Sequence, residues 1–470
     1  MLKKKLHIKL GLFIGVSLYS ISVQAQLAIT LPESNIQNRT DYQQTFSAGQ
    51  YGAVLNLLPT ISVKANTTTF NNQSGGSATI PLSKLHIKIT SIGNISLIST
   101  STEVALSTTY QVLARSVANL LSGAVSGNAR VETASNTWIA GVYTSQLAFL
   151  APGLLGLGNV ISPANQNATI TVPAFISPQS IIGPTQLIVD NLSYFRTANG
   201  ISTTKTVYLA NTVPYIPNIQ TIGNNFAFST NLPYTNLPNT PVDMTNATLT
   251  GITNATAIAL SAAPKALTTR LGIPVPTINS QTLNHSFSIT GEQLKTGFVQ
   301  AGKYSVPLTY TYSKLSSSYP SGTLQTQRNG TLEVVVSDLG ELIANQQAVN
   351  LSFTTTNHYV NGVSQDMPAH LKISKTTPYN LYVRATTENF ASGPNTIPLS
   401  VMKIGPMNGQ TGMNTISLST TAQQLIQAAD PVIDRLLNIK YSIPATETDH
   451  LLNKPPGTYS TSIIFSFVAP

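Results

Sequence analysis

Apolar and polar residues alternate with a period of two in many short runs of this chain. In the last run Tyr459, Thr461, Ile463, Phe465 and Phe467 fall on one face, opposite Ser460, Ser462 and Ser466. A run in the middle sets Tyr304, Val306, Leu308, Tyr310 and Tyr312 against Ser305, Thr309 and Thr311. A period of two marks a strand with one buried face. Pro307 lies inside the middle run. Proline has no N–H for a ladder, so this strand is expected at a sheet edge. Helical spacing is scarce. Leu113, Val117 and Leu120 suggest a helix over 110–121, and a second short one is expected over 423–429, stopped before Pro431.

The runs recur in a fixed order. Gly-x-Tyr opens an alternating strand at Gly141 and Tyr143, at Gly302 and Tyr304, and at Gly457 and Tyr459, separated by 161 and 155 residues. Thr79-Ile80-Pro81-Leu82-Ser83 matches Thr396-Ile397-Pro398-Leu399-Ser400, with a weaker Thr240-Pro241-Val242 between them. A strand-like stretch precedes each, over 59–70, 214–226 and 378–390, ending at a phenylalanine. A Leu-Ser pair follows each: Leu106-Ser107, Leu260-Ser261 and Leu418-Ser419. Asn199-Gly200 and Asn361-Gly362 read as two-residue hairpin turns, because glycine accepts the positive φ of a type I′ turn. A repeat of this length is too long for a solenoid. The expected fold class is all-β: three tandem immunoglobulin-like or pilin-like β-sandwich domains after a signal peptide. The spans are 1–25 for the signal, then 26–151, 152–325 and 326–470. The glycine permits a tight turn into each strand. The tyrosine ring fills core, and its hydroxyl can bond a backbone group, as in a tyrosine corner.

Residues 1–25 read as a secretory signal. Lys3, Lys4, Lys5 and Lys9 precede an apolar run from Leu10 to Ile21, and Val23-Gln24-Ala25 supplies a small residue before the cut. A run of about 12 residues is too short to span a bilayer. The mature chain is expected to start at Gln26, with no integral membrane segment, and to be exported to the periplasm, cell surface or extracellular space.

Composition narrows the role. Charged residues are only 9% of the chain and cysteine is absent, which removes disulfides and thiol chemistry. Without the signal's four lysines, 21 basic face 16 acidic residues, a net of +5. The basic residues do not cluster as a phosphate backbone requires, so nucleic acid is not an expected partner. The histidines His86, His285, His358, His370 and His450 form no His-x-x-x-His or His-Glu-x-x-His pattern. Asp430 and Asp434 straddle Pro431 and read as a solvated loop. No Gly-x-Ser-x-Gly elbow or phosphate-binding loop occurs. Neither an enzyme nor a cofactor is expected.

A last strand that opens with Gly-x-Tyr-Ser/Thr and alternates to its end resembles bacterial surface immunoglobulin-like and fimbrial-type domains. It is similar to the close of WxL cell-wall domains and of spore-coat-U-type pilins. The chain has no Trp-x-Leu motif, and its one tryptophan is Trp138. The resemblance implies an exported, non-enzymatic surface structural or adhesive protein, a fimbrial component whose partners are other subunits joined by edge-strand pairing. The alternative is a secreted carbohydrate-binding module array. Its partners would be glycans stacked on Tyr194, Tyr215, Tyr234, Tyr359 and Tyr379.

Overall fold

A computed structural model describes residues 26–470 apart from 53–59, 98–99, 116–121, 154–158 and 160. The signal over 1–25, Pro59 of the first strand-like stretch, and Val117 and Leu120 of the expected helix lie outside the described residues. The chain divides into two compact units. One holds the residues up to Phe175 with Thr277–Asn279, the other Ile176–Pro276 with Ser280–Pro470. Both are built from β-sheets.

The first unit is one sandwich. One sheet runs in the order Leu27–Thr30, Asn165–Val172, Gly141–Leu150, Ile61–Ala65, Gln111–Ala114. The facing sheet runs Ile161–Ser162, Tyr42–Gly52, Ser122–Val131, Leu85–Ile92, Ile95–Ser96. The alternation places Tyr143, Leu147 and Phe149 in the core at 1% exposure or less.

The second unit holds two sandwiches. In the first of these, Thr185–Val189, Gln325–Val336, Gly302–Lys314, Tyr215–Thr221 and Lys265–Ala266 form one sheet. Its partner runs Ile176–Pro178, Ile201–Asn211, Ser280–Ile289, Asn246–Thr250, Ile258–Ala259. In the other sandwich, Gly340–Ala344, Gly362–Lys375, Val432–Pro444, Lys403–Pro406 and Ile416–Ser417 form the longer sheet. Its short sheet has only Gln423–Ala429, Tyr379–Ala385 and Ile463–Val468. Below, the three sandwiches are called first, second and third in chain order.

Sheet membership changes between Val172 and Ile176 and between Val336 and Gly340. Asn165–Val172 and Gln325–Val336 lie in the same sheet as the Gly-x-Tyr strand before them.

Four local expectations differ from the structure. The Gly302–Lys314 strand is central, not at an edge. Pro307 faces Thr331 on one side. On the other it falls where one partner ends, at Thr221 opposite Leu308, and the next begins, at Ala227 opposite Ser305. A residue without an N–H is tolerated in that gap. Secondly, Gln111–Ala114 and Gln423–Ala429 are strands, since pairing with a neighbour overrides a short helical spacing. Thirdly, Asn199-Gly200 and Asn361-Gly362 are not hairpin turns. Each follows a helical turn, Ser193–Arg196 or Thr356–Asn361, and leads into a long strand. The glycines are needed there for another reason. Gly200 has φ +56°, and a Cβ on it would lie 2.0 Å from the Ile289 carbonyl oxygen. Gly362 has φ +74°, and its Cβ would lie 2.4 Å from the Ile443 oxygen. Fourthly, Asp434 is no loop residue; it lies in the Val432–Pro444 strand with φ +56°.

Gly200→Ala is expected to cost about 3 kcal/mol, from strain and overpacking together. Gly223 has a positive φ but open space around it, so Gly223→Ala should cost only about 1 kcal/mol. Urea unfolding of the two variants measures the gap.

Candidate functional site

The sequence marks occupy matching places in all three sandwiches. Tyr143 donates its hydroxyl to Ile139 O at 2.8 Å, Tyr304 to Gln300 O at 3.0 Å and Tyr459 to Pro455 O at 2.9 Å. Each bond reaches back four residues and clamps the loop before the strand. Gly141 and Gly302 start their strands, whereas Gly457 precedes the Ile463–Val468 strand by six residues. A Cβ on Gly302 would lie 2.7 Å from the Phe228 ring. The Thr-Ile-Pro-Leu-Ser marks are a short strand running into a 3₁₀ turn at Leu82–Lys84 and Leu399–Val401, and in the middle copy an isolated bridge at Pro241 leads into the turn Val242–Met244. The residue after each turn accepts a bond from the Leu-Ser leucine. Leu106 N bonds Leu85 O, Leu260 N bonds Thr245 O and Leu418 N bonds Met402 O, each at 2.9 Å.

The sandwiches part company beside the Gly-x-Tyr strand. In the first, this strand pairs with Asn165–Val172, which pairs in parallel with Leu27–Thr30. In the second it pairs with Gln325–Val336, which pairs in parallel with Thr185–Val189. In the third, Ile463–Val468 pairs with Tyr379–Ala385 alone, and no described residue pairs on its other side. Nor do residues 346–354 form a strand. They still alternate: Val349, Leu351 and Phe353 are half-buried against the core while Asn350 and Ser352 are exposed. In the second sandwich Thr185, Leu187 and Val189 are buried in the same way while Gln186 and Ile188 are exposed. In the third sandwich, among the described residues, Ile463–Val468 is open on one side, and residues 349–353 alternate against the same core without joining a ladder.

Burial registers the difference. Leu308, Tyr310 and Tyr312 are at most 1% exposed. Their counterparts Ile463, Phe465 and Phe467 are only half-buried, because nothing covers their free side. Ile464 and Val468 are exposed. An uncovered edge strand presents unpaired N–H and C=O groups, a ready template for another strand. Leu351-Ser352-Phe353 reads in the sequence as a strand leading to Asn361-Gly362; the structure keeps the period-two burial over 349–353 but forms no strand there.

A buried histidine lies beneath this edge. His370 is 4% exposed. Its Nδ1 is 3.0 Å from Gln346 Oε1 on the unpaired segment, its Nε2 is 2.9 Å from the Tyr441 hydroxyl, and its ring meets Phe465 edge to face at 6.1 Å. Burial lowers its pKa. His285 packs edge to face against Tyr310 and Tyr312 inside the second sandwich, where burial lowers its imidazole to about 4. His358 accepts a bond from Thr354 N, and His450 lies on the surface near Glu447. The structure does not bring these histidines together, and among the described residues no three His, Asp or Glu side chains form a metal-binding group. Of the five tyrosines considered for sugar stacking, Tyr215 and Tyr379 are fully buried and the others half-buried. They form no exposed row.

No family model and no curated protein matches the chain. Solved structures overlap it in part. CfaE, the adhesive subunit of CFA/I fimbria of enterotoxigenic Escherichia coli, is 11% identical over 67% of this chain and 98% of its own, with a TM-score of 0.26. The CsuC–CsuE chaperone–tip adhesion subunit pre-assembly complex from archaic chaperone-usher Csu pili of Acinetobacter baumannii gives 14%, 62%, 99% and 0.31. The CupB6 tip adhesin from Pseudomonas aeruginosa gives 11%, 64%, 90% and 0.26. Overlaps this slight do not establish a shared role.

Tyr304→Phe removes a buried hydroxyl's bond and is expected to cost about 1 kcal/mol; Tyr459→Phe, half-exposed, should cost less in the same urea titration. Acid stability offers a second check. His285 stays neutral in the fold, while in the unfolded chain it protonates near 6.5. Its stabilising contribution is full above about pH 6.5 and falls as pH drops toward 4. Between pH 7 and pH 4.5 the loss should be on the order of 2 kcal/mol. A His285→Phe variant should show a shallower decline, and an unchanged slope would contradict the assignment.

Proposed function

We propose that the chain is an exported, non-enzymatic subunit of a bacterial surface fibre, with a structural or adhesive role. On this reading it is three copies of one sandwich. Two are complete, and the third receives its missing strand from another subunit. The observation that carries the proposal is the free side of Ile463–Val468, compared with the filled place beside Gly141–Leu150 and Gly302–Lys314.

The complete sandwiches specify the occupant. Asn165–Val172 buries Gln166, Ala168, Ile170 and Val172. Gln325–Val336 buries Leu332, Val334 and Val336. Both run antiparallel to the Gly-x-Tyr strand and parallel to the wall beyond it. The incoming strand would therefore run antiparallel to Ile463–Val468 and satisfy the edge's backbone groups. By the register of the second sandwich its alternating apolar residues would lie beside residues 457–461, as Leu332, Val334 and Val336 lie beside residues 302–306, and more polar residues would lie beside Ile463–Val468. Main-chain bonds would give affinity, and alternate side chains would give specificity.

Two experiments test this. Material sheared from producing cells should run as a ladder in SDS that collapses on boiling; a single band near the monomer would remove polymerisation. In solution, a peptide copying residues 325–336 should slow amide exchange across Ile463–Val468 and raise the third sandwich's melting temperature by several degrees. No protection at saturating peptide would argue against an open acceptor edge.

A further inference from the structure

Charge is scarce in this chain, and one of its clusters lies where the second and third sandwiches meet inside the second unit; another surrounds Arg130, Asp41 and Glu103 within the first sandwich. Arg196 ends the helical turn Ser193–Arg196 of the second sandwich. Its guanidinium forks onto two carboxylates of the third. It pairs with Glu341 on the Gly340–Ala344 strand, and its Nη2 lies 2.8 Å from Asp434 Oδ1 on the Val432–Pro444 strand. The same Nη2 lies 3.2 Å from Ser374 Oγ. Lys295, from the second sandwich's Gly291–Gly297 helix, approaches Asp434 at 3.7 Å. Lys372 stands 3.9 Å from both carboxylates. Asp434 is held for this contact by Ser374, which is fully buried; Asp434 N donates to Ser374 Oγ at 3.0 Å.

The contact is directional. A planar guanidinium engages two carboxylates from fixed sides, which a single lysine cannot do. Other bonds cross the same boundary. Ala301 N bonds Thr376 O at 2.7 Å, the Tyr234 hydroxyl lies 3.4 Å from Thr376 O, and the Asp430 carboxylate accepts from Thr235 Oγ1 at 3.2 Å and from Asn236 Nδ2 at 3.5 Å. Asp338 is occupied separately by Lys375 and Thr377. Arg196 is the cation that joins two carboxylates of the third sandwich, on residues 145 and 238 positions away from it in sequence.

We propose that the Arg196–Glu341–Asp434 cluster is a clasp. It fixes the angle between the second and third sandwiches about the connecting residues 337–339, and it releases when its carboxylates are neutralised or its charges are screened. The inference stands apart from strand acceptance. The Arg196, Glu341, Asp434 and Lys372 side chains are 26–31% exposed, so dissolved ions reach them. Arg196 holds the Glu341 carboxyl below its ordinary range. At Asp434 burial pushes upward, but the Arg196 bond and charge and Lys372 outweigh it. The clasp is therefore closed above the ordinary carboxylate range and opens as pH falls below it.

The absence of native cysteine makes the test direct. Leu271 and Leu452 are exposed at 73% and 50%, one on each sandwich. Leu271→Cys with Leu452→Cys, spin-labelled in the full chain, reports the distance between the sandwiches by pulsed electron resonance. One narrow distribution is expected at pH 7 and low salt. It should at least double in width in Arg196→Gln, in about 1 M salt, and near pH 3, with near-UV dichroism retained. Arg196→Lys should fall between. Asp434→Asn keeps the left-handed backbone and loses the charge, so it carries the test if Arg196→Gln does not fold. A width unchanged in a folded Arg196→Gln or Asp434→Asn chain would overturn the clasp.

Discussion

A β-strand in the middle of a sheet has its backbone groups satisfied on both sides, and these sandwiches are organised by whether that condition is met. The Gly-x-Tyr strand is an inner strand of its sheet in the first two sandwiches, and its counterpart is an edge strand in the third. In the first two sandwiches a following strand closes its far side, and an early strand then pairs in parallel with that one. Two consequences come from this one act of pairing: hydrogen bonds for the backbone and cover for the inward side chains. Where the pairing is absent, both are lost together. Residues 346–354 alternate as a strand does, yet among the described residues they join no ladder.

The sequence carried the period-two runs and the order of the marks, because side-chain direction in a strand depends only on local geometry. It carried the tyrosine's hydroxyl bond as well, which spans four residues. It did not carry the number of neighbours a strand has. Pro307 illustrates the limit. The rule that proline avoids central strands is sound, but it cannot foresee two partner strands meeting end to end opposite one residue. Gln111–Ala114 and Gln423–Ala429 show the same limit from the helical side, where a few apolar residues at i and i+4 satisfy either period. Gly200 and Gly362 were singled out for the right property, a positive φ, and assigned to the wrong turn. What demands glycine there is the close approach of a carbonyl from a strand 80 or more residues away.

Asp434 was equally hidden. Beside Pro431 and Arg435 it reads as a solvated turn, and nothing within ten residues names its partner. Arg196 is 238 positions earlier. In a chain of ordinary charge such a pair would be one among many. Here charged residues are only 9% of the chain, so a cluster of five ionic side chains stands out, as does the one around Arg130 in the first sandwich.

The half-buried terminal strand unites these readings. Were Ile463, Phe465 and Phe467 covered as Leu308, Tyr310 and Tyr312 are, each would contribute about 1.5–3 kcal/mol from burial. Half-covered, they contribute roughly half. If the edge accepts a strand, as proposed above, the remainder becomes a driving force for association, and the unpaired backbone groups give it direction.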